Sequence, residues 1–182
     1  MLLQLPPGES ITTGGEGGGL TTNDRYIYDK ARQLRNHGFK DGTHQMTDLG
    51  FNFRMSEVQA AIASIQLQKL DGFIARRREI AIMYTRALHG VVRTPEYDRD
   101  SAWHLYAIRT PRRDELKETL AKRNIYCQVH YTPVHKQPYY DDGLHLPGAE
   151  AYAAECLSLP IYPSLTDSQV RKVIDAIKEA LA

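Results

Sequence analysis

Cysteine is nearly absent: the 182 residues contain two, Cys127 and Cys156. So few, so far apart, cannot make a disulfide scaffold or a paired-cysteine metal knuckle, and a reduced, cytoplasmic setting is expected. No apolar run approaches the ~20 residues a membrane-spanning helix needs. The first residues also lack the basic end and long apolar segment of an export signal. A soluble, non-exported protein is the expectation. An excess of charge of either sign is missing too, with 23 Lys and Arg against 22 Asp and Glu. That balance gives no electrostatic reason to expect nucleic acid or an acidic membrane as partner, so any ligand must be recognised locally.

What is present is ordinary globular composition, 42% hydrophobic and 25% charged, enough for one core or one core beside an incomplete neighbour. "SITT" and "GLTT" (residues 10–13 and 19–22) read as short β segments around a glycine turn. Asn23 and Asp24 can cap a helix with Ile27, Ala31 and Leu34 on one face, ending near "RNHG". The loop "FKDGTHQMTDLGFNFR" is long and aromatic, as functional loops tend to be. Ser56 and Gln59 then have capping-box spacing ahead of an apolar stripe of Val58, Ile62, Ile65 and Leu70. Asp71-Gly72 is expected to bend or divide that helix, which stops at Gly90.

Beyond the linker "PEYDRDS", short strands alternate with helices: "WHLYAIR" and "IYCQVHY" as strands, "RDELKETLAKRN" and "AEAYAAECL" as helices. The last helix, "TDSQVRKVIDAIKEAL", has Thr166 and Gln169 at capping-box spacing and an apolar face of Val170, Val173, Ile174, Ile177 and Leu181. Residues 91–182 therefore read as a small α+β domain. Residues 1–90 offer few strands for their helices to cover, and need a sheet from elsewhere.

The blocks "ITTGGEGGGLTT", "LRNHG", "LGFNFRMSEVQAAIASIQLQKLDGFIARRREIA", "WHLYAIR", "VHYTPVHKQPYY" and "LSLPIYPSLTD", in this order and spacing, resemble the C-terminal half of sugar aminotransferases of the DegT/DnrJ/StrS type. The resemblance implies an α/β protein of fold type I, with residues 1–90 a remnant of the large cofactor-binding domain and 91–182 the small C-terminal domain. It implies pyridoxal phosphate as cofactor, a nucleotide-linked keto sugar as substrate, glutamate as the usual amino donor, and a homodimer with its active sites between subunits.

One part of the resemblance fails. The family block before "ITTG" runs close to F-S-F-H-P-x-K, and its lysine forms the Schiff base with the cofactor; here Glu9 stands in that place. Only a primary amine condenses with the aldehyde, so no catalytic residue is assigned and the chain is expected to be inactive alone. Permitted codons for Leu3–Glu9, read one base out of phase, spell F-S-F-H-P-V followed by the first two bases of a lysine codon. A truncated, frameshifted reading frame is the expectation.

Other candidates each carry two readings. The glycine run Gly14–Gly19 is a phosphate cradle or, since the P-loop lysine pattern is missing, a tight hairpin. Asn52 and Arg54 in "GFNFR" are, through the resemblance, ligands of the cofactor phosphate across the dimer, while an asparagine in a loop is equally a turn former. His130, Tyr131 and His135 have the short spacing of metal ligands, yet no cysteine or carboxylate lies at helpful spacing. The resemblance places them at the nucleotide-sugar pocket. Trp103 and His104 read as core and edge, the basic run "ARRRE" as a solvated helix face, and Cys127 as a small buried apolar side chain.

Overall fold

The computed structural model describes residues 2–4 and 11–182; Glu9, Ser10 and the rest of the "LPPGES" stretch lie outside the described residues. The chain packs as two compact units, Met1–Leu70 and Asp71–Ala182.

In the first unit β1 (Leu2–Gln4) pairs antiparallel with β2 (Gly18–Leu20), Leu2 opposite Leu20. The expected strand at "SITT" does not form over Ile11–Thr13. There the side chains compete with a ladder for the backbone: Thr12 Oγ1 accepts from Gly14 N at 3.1 Å and Thr13 Oγ1 donates to Gly15 O at 2.8 Å. β2 therefore pairs with an earlier segment. Asp24 caps α1 (Arg25–Arg35), accepting from the backbone N–H of Tyr26 and Ile27. The helix ends at Asn36, with His37 and Gly38 both at positive φ.

α2 (Glu57–Leu88) is one continuous helix; Asp71-Gly72 neither ends nor divides it, because a lone glycine costs only about 1 kcal/mol in a helix carried on both sides by good formers. Its start is the expected capping box, Ser56 N donating to Gln59 Oε1 and Gln59 N to Ser56 Oγ. The division between units falls inside α2, whereas the sequence places it at 90/91. The later turns of the helix bury Ile80, Ala81, Tyr84 and Leu88 in the core of the second unit, and that burial assigns them there.

The second unit is built on β3 (Tyr106–Arg109) and β4 (Cys156–Leu159), antiparallel with Tyr106 opposite Leu159. Single bridges widen this sheet, Arg93 to Arg109 on one edge and Gln128 to Ser158 on the other. "IYCQVHY" thus contributes a bridge rather than a strand. "WHLYAIR" becomes strand only from Tyr106, since Trp103 sits at φ 49°. α4 (Pro147–Glu155) stops before Cys156, which opens β4. The all-buried Cys156–Leu159 has no alternation to separate it from helix by period.

α3 (Arg113–Lys122) packs against α5 (Asp167–Leu181). The Thr166–Gln169 capping box is present and Val170, Val173, Ile174 and Ile177 are buried, as the spacing predicts. The basic run of α2 is not a solvated face. Arg77 is buried and its Nη1 donates to Ile161 O at 2.7 Å and His104 O at 3.2 Å, while Arg76 Nη2 reaches Asp167 Oδ1 and Leu165 O, both at 2.7 Å. Arginine forks here satisfy loop carbonyls that the short sheet leaves over. Among the described residues no helix is long and apolar enough to cross a membrane.

Candidate functional site

In the first unit the sequence candidates Asn52 and Arg54 sit on a stretch laid antiparallel to the end of α1. Phe51 N donates to Leu34 O, Phe53 N to Arg35 O, and His37 N to Phe51 O. Two glycines make this approach possible. A Cβ on Gly38 would lie 1.8 Å from Asp48 O, and one on Gly50 2.1 Å from Gly38 N. Polar ties lock the remainder of the loop: Lys30 Nζ to Asp48 Oδ1 at 2.6 Å and Gln33 Nε2 to Thr47 Oγ1 at 2.6 Å.

Arg54 Nε donates to Asn52 Oδ1 at 2.8 Å, and Arg54 Nη2 lies 3.5 Å from His37 Nε2. The Asn52 oxygen is therefore spoken for, which leaves its amide N–H groups as the donors of an exposed side chain beside a guanidinium. Two exposed, donor-rich side chains fixed against each other make a fitting anion seat. The phosphate end of pyridoxal phosphate fits these residues. Glu9, at the place where the resemblance expects the Schiff-base lysine, carries a carboxylate, which cannot condense with the aldehyde.

In the second unit His130, Tyr131 and His135 divide. The His130 and Tyr131 rings meet edge to face at 4.7 Å; Tyr131 is exposed, and His130 Nδ1 is 2.8 Å from Ser158 Oγ on β4. Burial, and then the neighbouring His104, lower the His130 pKa, favouring the neutral imidazole. His135 is buried, its Nε2 3.1 Å from Glu150 Oε1.

Glu150 is the residue the sequence did not reveal. Its Oε1 accepts from Leu146 N at 2.9 Å and also faces Lys136 Nζ and His145 Nδ1, both at 3.6 Å. The Leu146 N–H, then His135, hold its carboxyl down to about 2. Fifteen positions separate it from His135, so short spacing could not flag it; its place near the start of a helix, within reach of the capping backbone N–H, was the available signal. Among the described residues no group of three His, Cys, Asp or Glu could hold a metal ion. Cys127 is buried and its thiol is pushed up to about 12 by desolvation, the inert apolar role expected of it.

Against known proteins, the sequence matches the DegT/DnrJ/EryC1/StrS aminotransferase family over residues 7–178. The chain belongs to that family. It is 40% identical, over 95% of its length, to a dTDP-3-amino-3,4,6-trideoxy-alpha-D-glucose transaminase of Streptomyces venezuelae, and 33% identical, over 94%, to a GDP-perosamine synthase of Escherichia coli O157:H7. It spans about half the length of each, 48% and 49%. Among solved structures, a DegT DnrJ EryC1 StrS aminotransferase from Brucella abortus superposes with a TM-score of 0.93 at 30% identity, covering 100% of this chain and 50% of that one. S. venezuelae DesV in complex with a ketimine intermediate gives 0.91 at 36%, covering 98% and 50%. The fold is accordingly the C-terminal part of a fold type I aminotransferase, the end of the large domain and the small α+β domain.

Proposed function

We propose that this polypeptide supplies the phosphate-binding loop and the sugar-facing segment of a pyridoxal-phosphate-dependent nucleotide-sugar aminotransferase, and that it does not transaminate by itself. The observation that carries the reading is the Asn52–Arg54 pair, locked by Gly38 and Gly50 on a loop of a family member. When bound, the cofactor supplies the electron sink for amino transfer, with glutamate as the amino donor. Asn52 and Arg54 would hold its phosphate. His130 and Tyr131 would face a keto sugar linked to a nucleotide, with His135 anchoring their segment through Glu150. Names of relatives support a sugar nucleotide as substrate class, dTDP- and GDP-linked sugars both being represented. The assembly is a homodimer, as the family resemblance implies, and two unpaired cysteines support a cytoplasmic setting.

Inactivity rests on Glu9, since a carboxylate forms no imine. Incubation with pyridoxal phosphate, borohydride reduction and peptide mapping should yield no specific lysine adduct, and glutamate plus a nucleotide-linked keto sugar should give no amino sugar. A specific adduct with turnover would overturn the reading. Sequencing the DNA across Leu3–Glu9 and upstream tests the frameshift: the front half of the enzyme should appear in a second frame. A second reading, a module that pairs with a complete aminotransferase, is favoured by the exposed Leu49, Phe51 and Phe53 beside the phosphate loop. Co-purification with a full-length homologue would favour it.

A further inference from the structure

The second unit contains an open cavity of about 380 Å³ on one face of the β3–β4 sheet. That size lies within the range of small-molecule sites. Tyr106 and Ile108 point into the core, while the alternate positions Leu105, Ala107 and Arg109 line the cavity. Pro95 and Trp103 extend its apolar wall. The charge at its rim is unbalanced. Arg93 N donates to Arg109 O at 3.0 Å and Arg109 N to Arg93 O at 2.8 Å, so the two residues are directly opposed and their side chains share a face. Like charges so placed repel. Arg109 is compensated: its Nε and Nη2 donate to Glu155 Oε2 at 3.1 and 2.7 Å, and its guanidinium lies over the Tyr152 ring at 5.4 Å from the centroid. Arg93 is exposed, lines the same cavity, and has no carboxylate partner among the described residues. One carboxylate thus serves two guanidinium groups, and the cavity is short of one negative charge.

We propose that this cavity binds a small monocarboxylate with a compact apolar body, the Arg93 guanidinium taking the carboxylate and the body lying against Leu105, Ala107 and Trp103. A guanidinium fork matches a planar carboxylate through two parallel charge-assisted bonds. The apolar wall favours a ligand with hydrocarbon to bury, which separates such an acid from acetate or inorganic phosphate. None of the residues assigned to the cofactor phosphate or the sugar takes part, so this site does not depend on the aminotransferase reading.

Trp103 is the only tryptophan of the chain, so its fluorescence, excited selectively, reports on this cavity. The intact 182-residue chain is titrated with phenylacetate, phenylacetamide, acetate and inorganic phosphate, by calorimetry and by Trp103 emission. Phenylacetate should bind tightest and change the emission, with its neutral amide, acetate and phosphate each weaker. R93Q should weaken phenylacetate by about tenfold or more, while K178Q, at an exposed lysine outside the cavity, leaves it unchanged. Arg93 is exposed and its backbone bonds to Arg109 do not involve the side chain, and circular dichroism verifies that both variants fold. No phenylacetate binding at millimolar concentration, an amide or phosphate that binds as tightly, affinity that R93Q does not lower, or binding with no response from Trp103 would each overturn the proposal.

Discussion

The two units of this chain are stabilised by different means. In Asp71–Ala182 the second half of α2, the β3–β4 sheet, α3 and α5 enclose a continuous core in which Tyr84, Tyr106, Ile108, Leu157 and Ile177 have no exposed surface. Over residues 11–70 the buried residues are Ile11, Thr13 and Gly38, and α1 buries none. Its loop is shaped by glycine contacts, ion pairs and amide bonds, while Phe53, Leu49 and Val58 are about 70% or more exposed. Hydrophobic burial at roughly 25 cal/mol per Å² stabilises the second unit. The first has geometry without much burial, which is how part of a large domain looks apart from its sheet.

The largest expected effect is therefore in the second unit. Tyr84 is fully buried, packs on Tyr106 at 5.2 Å between ring centroids, and donates its hydroxyl to Pro160 O at 2.8 Å. Tyr84→Ala should cost about 3–5 kcal/mol, measured as a lower urea midpoint with far-UV signal lost across the whole transition. A change below about 1 kcal/mol would mean the core is looser than its packing implies.

Next is the loop that carries Asn52. Gly38→Ala puts a Cβ against Asp48 O and holds a non-glycine residue at φ 70°, a strain of about 1–3 kcal/mol before the clash is relieved. Hydrogen exchange should accelerate across residues 36–54 and stay unchanged across α5. Equal acceleration in both would show that the units unfold together, and would erase the contrast.

The same contrast explains what could be read from sequence. The caps of α1, α2 and α5 were legible because they are local: Asp24, Ser56–Gln59 and Thr166–Gln169 satisfy N–H groups within four residues. The pairing of "GLTT" with Leu2–Gln4, the bridge at Gln128 and the burial of Arg77 were not, since each depends on a partner distant in the chain. Among site residues, Asn52 and Arg54 came from the block resemblance, and their mutual bond follows from two-residue spacing. Glu150 was hidden because its partner His135 lies across an irregular proline-rich segment.

A smaller effect concerns that segment. Glu150 titrates near 2 in the folded chain, below its ordinary range, because Leu146 N–H and His135 favour the carboxylate. The sign follows by linkage: its contribution is fully present above about pH 4.5 and is lost as pH falls toward 2. Melting temperature measured from pH 6 to pH 2 should fall through that window, and Glu150→Gln should melt lower at neutral pH, show a flatter fall, and converge with the parent chain toward pH 2. An identical acid slope in the variant would show that Glu150 does not anchor the segment.

The smallest expected change in stability is at the apolar stripe of the first unit. Ile65 is half exposed on α2, in line with exposed Val58 and Ile62, so removing its side chain takes little surface out of any core. Ile65→Ser should alter the unfolding free energy by no more than about 0.5 kcal/mol, where the same kind of change at Ile177, which has no exposed surface, should be severe. The stripe should instead reveal itself in association: an exposed apolar face of this extent promotes self-contact, and light scattering at rising concentration should decrease in the variant. If Ile65→Ser destabilised the monomer as much as a core substitution, the stripe would already be covered in solution, and the first unit would have to be credited with a core of its own.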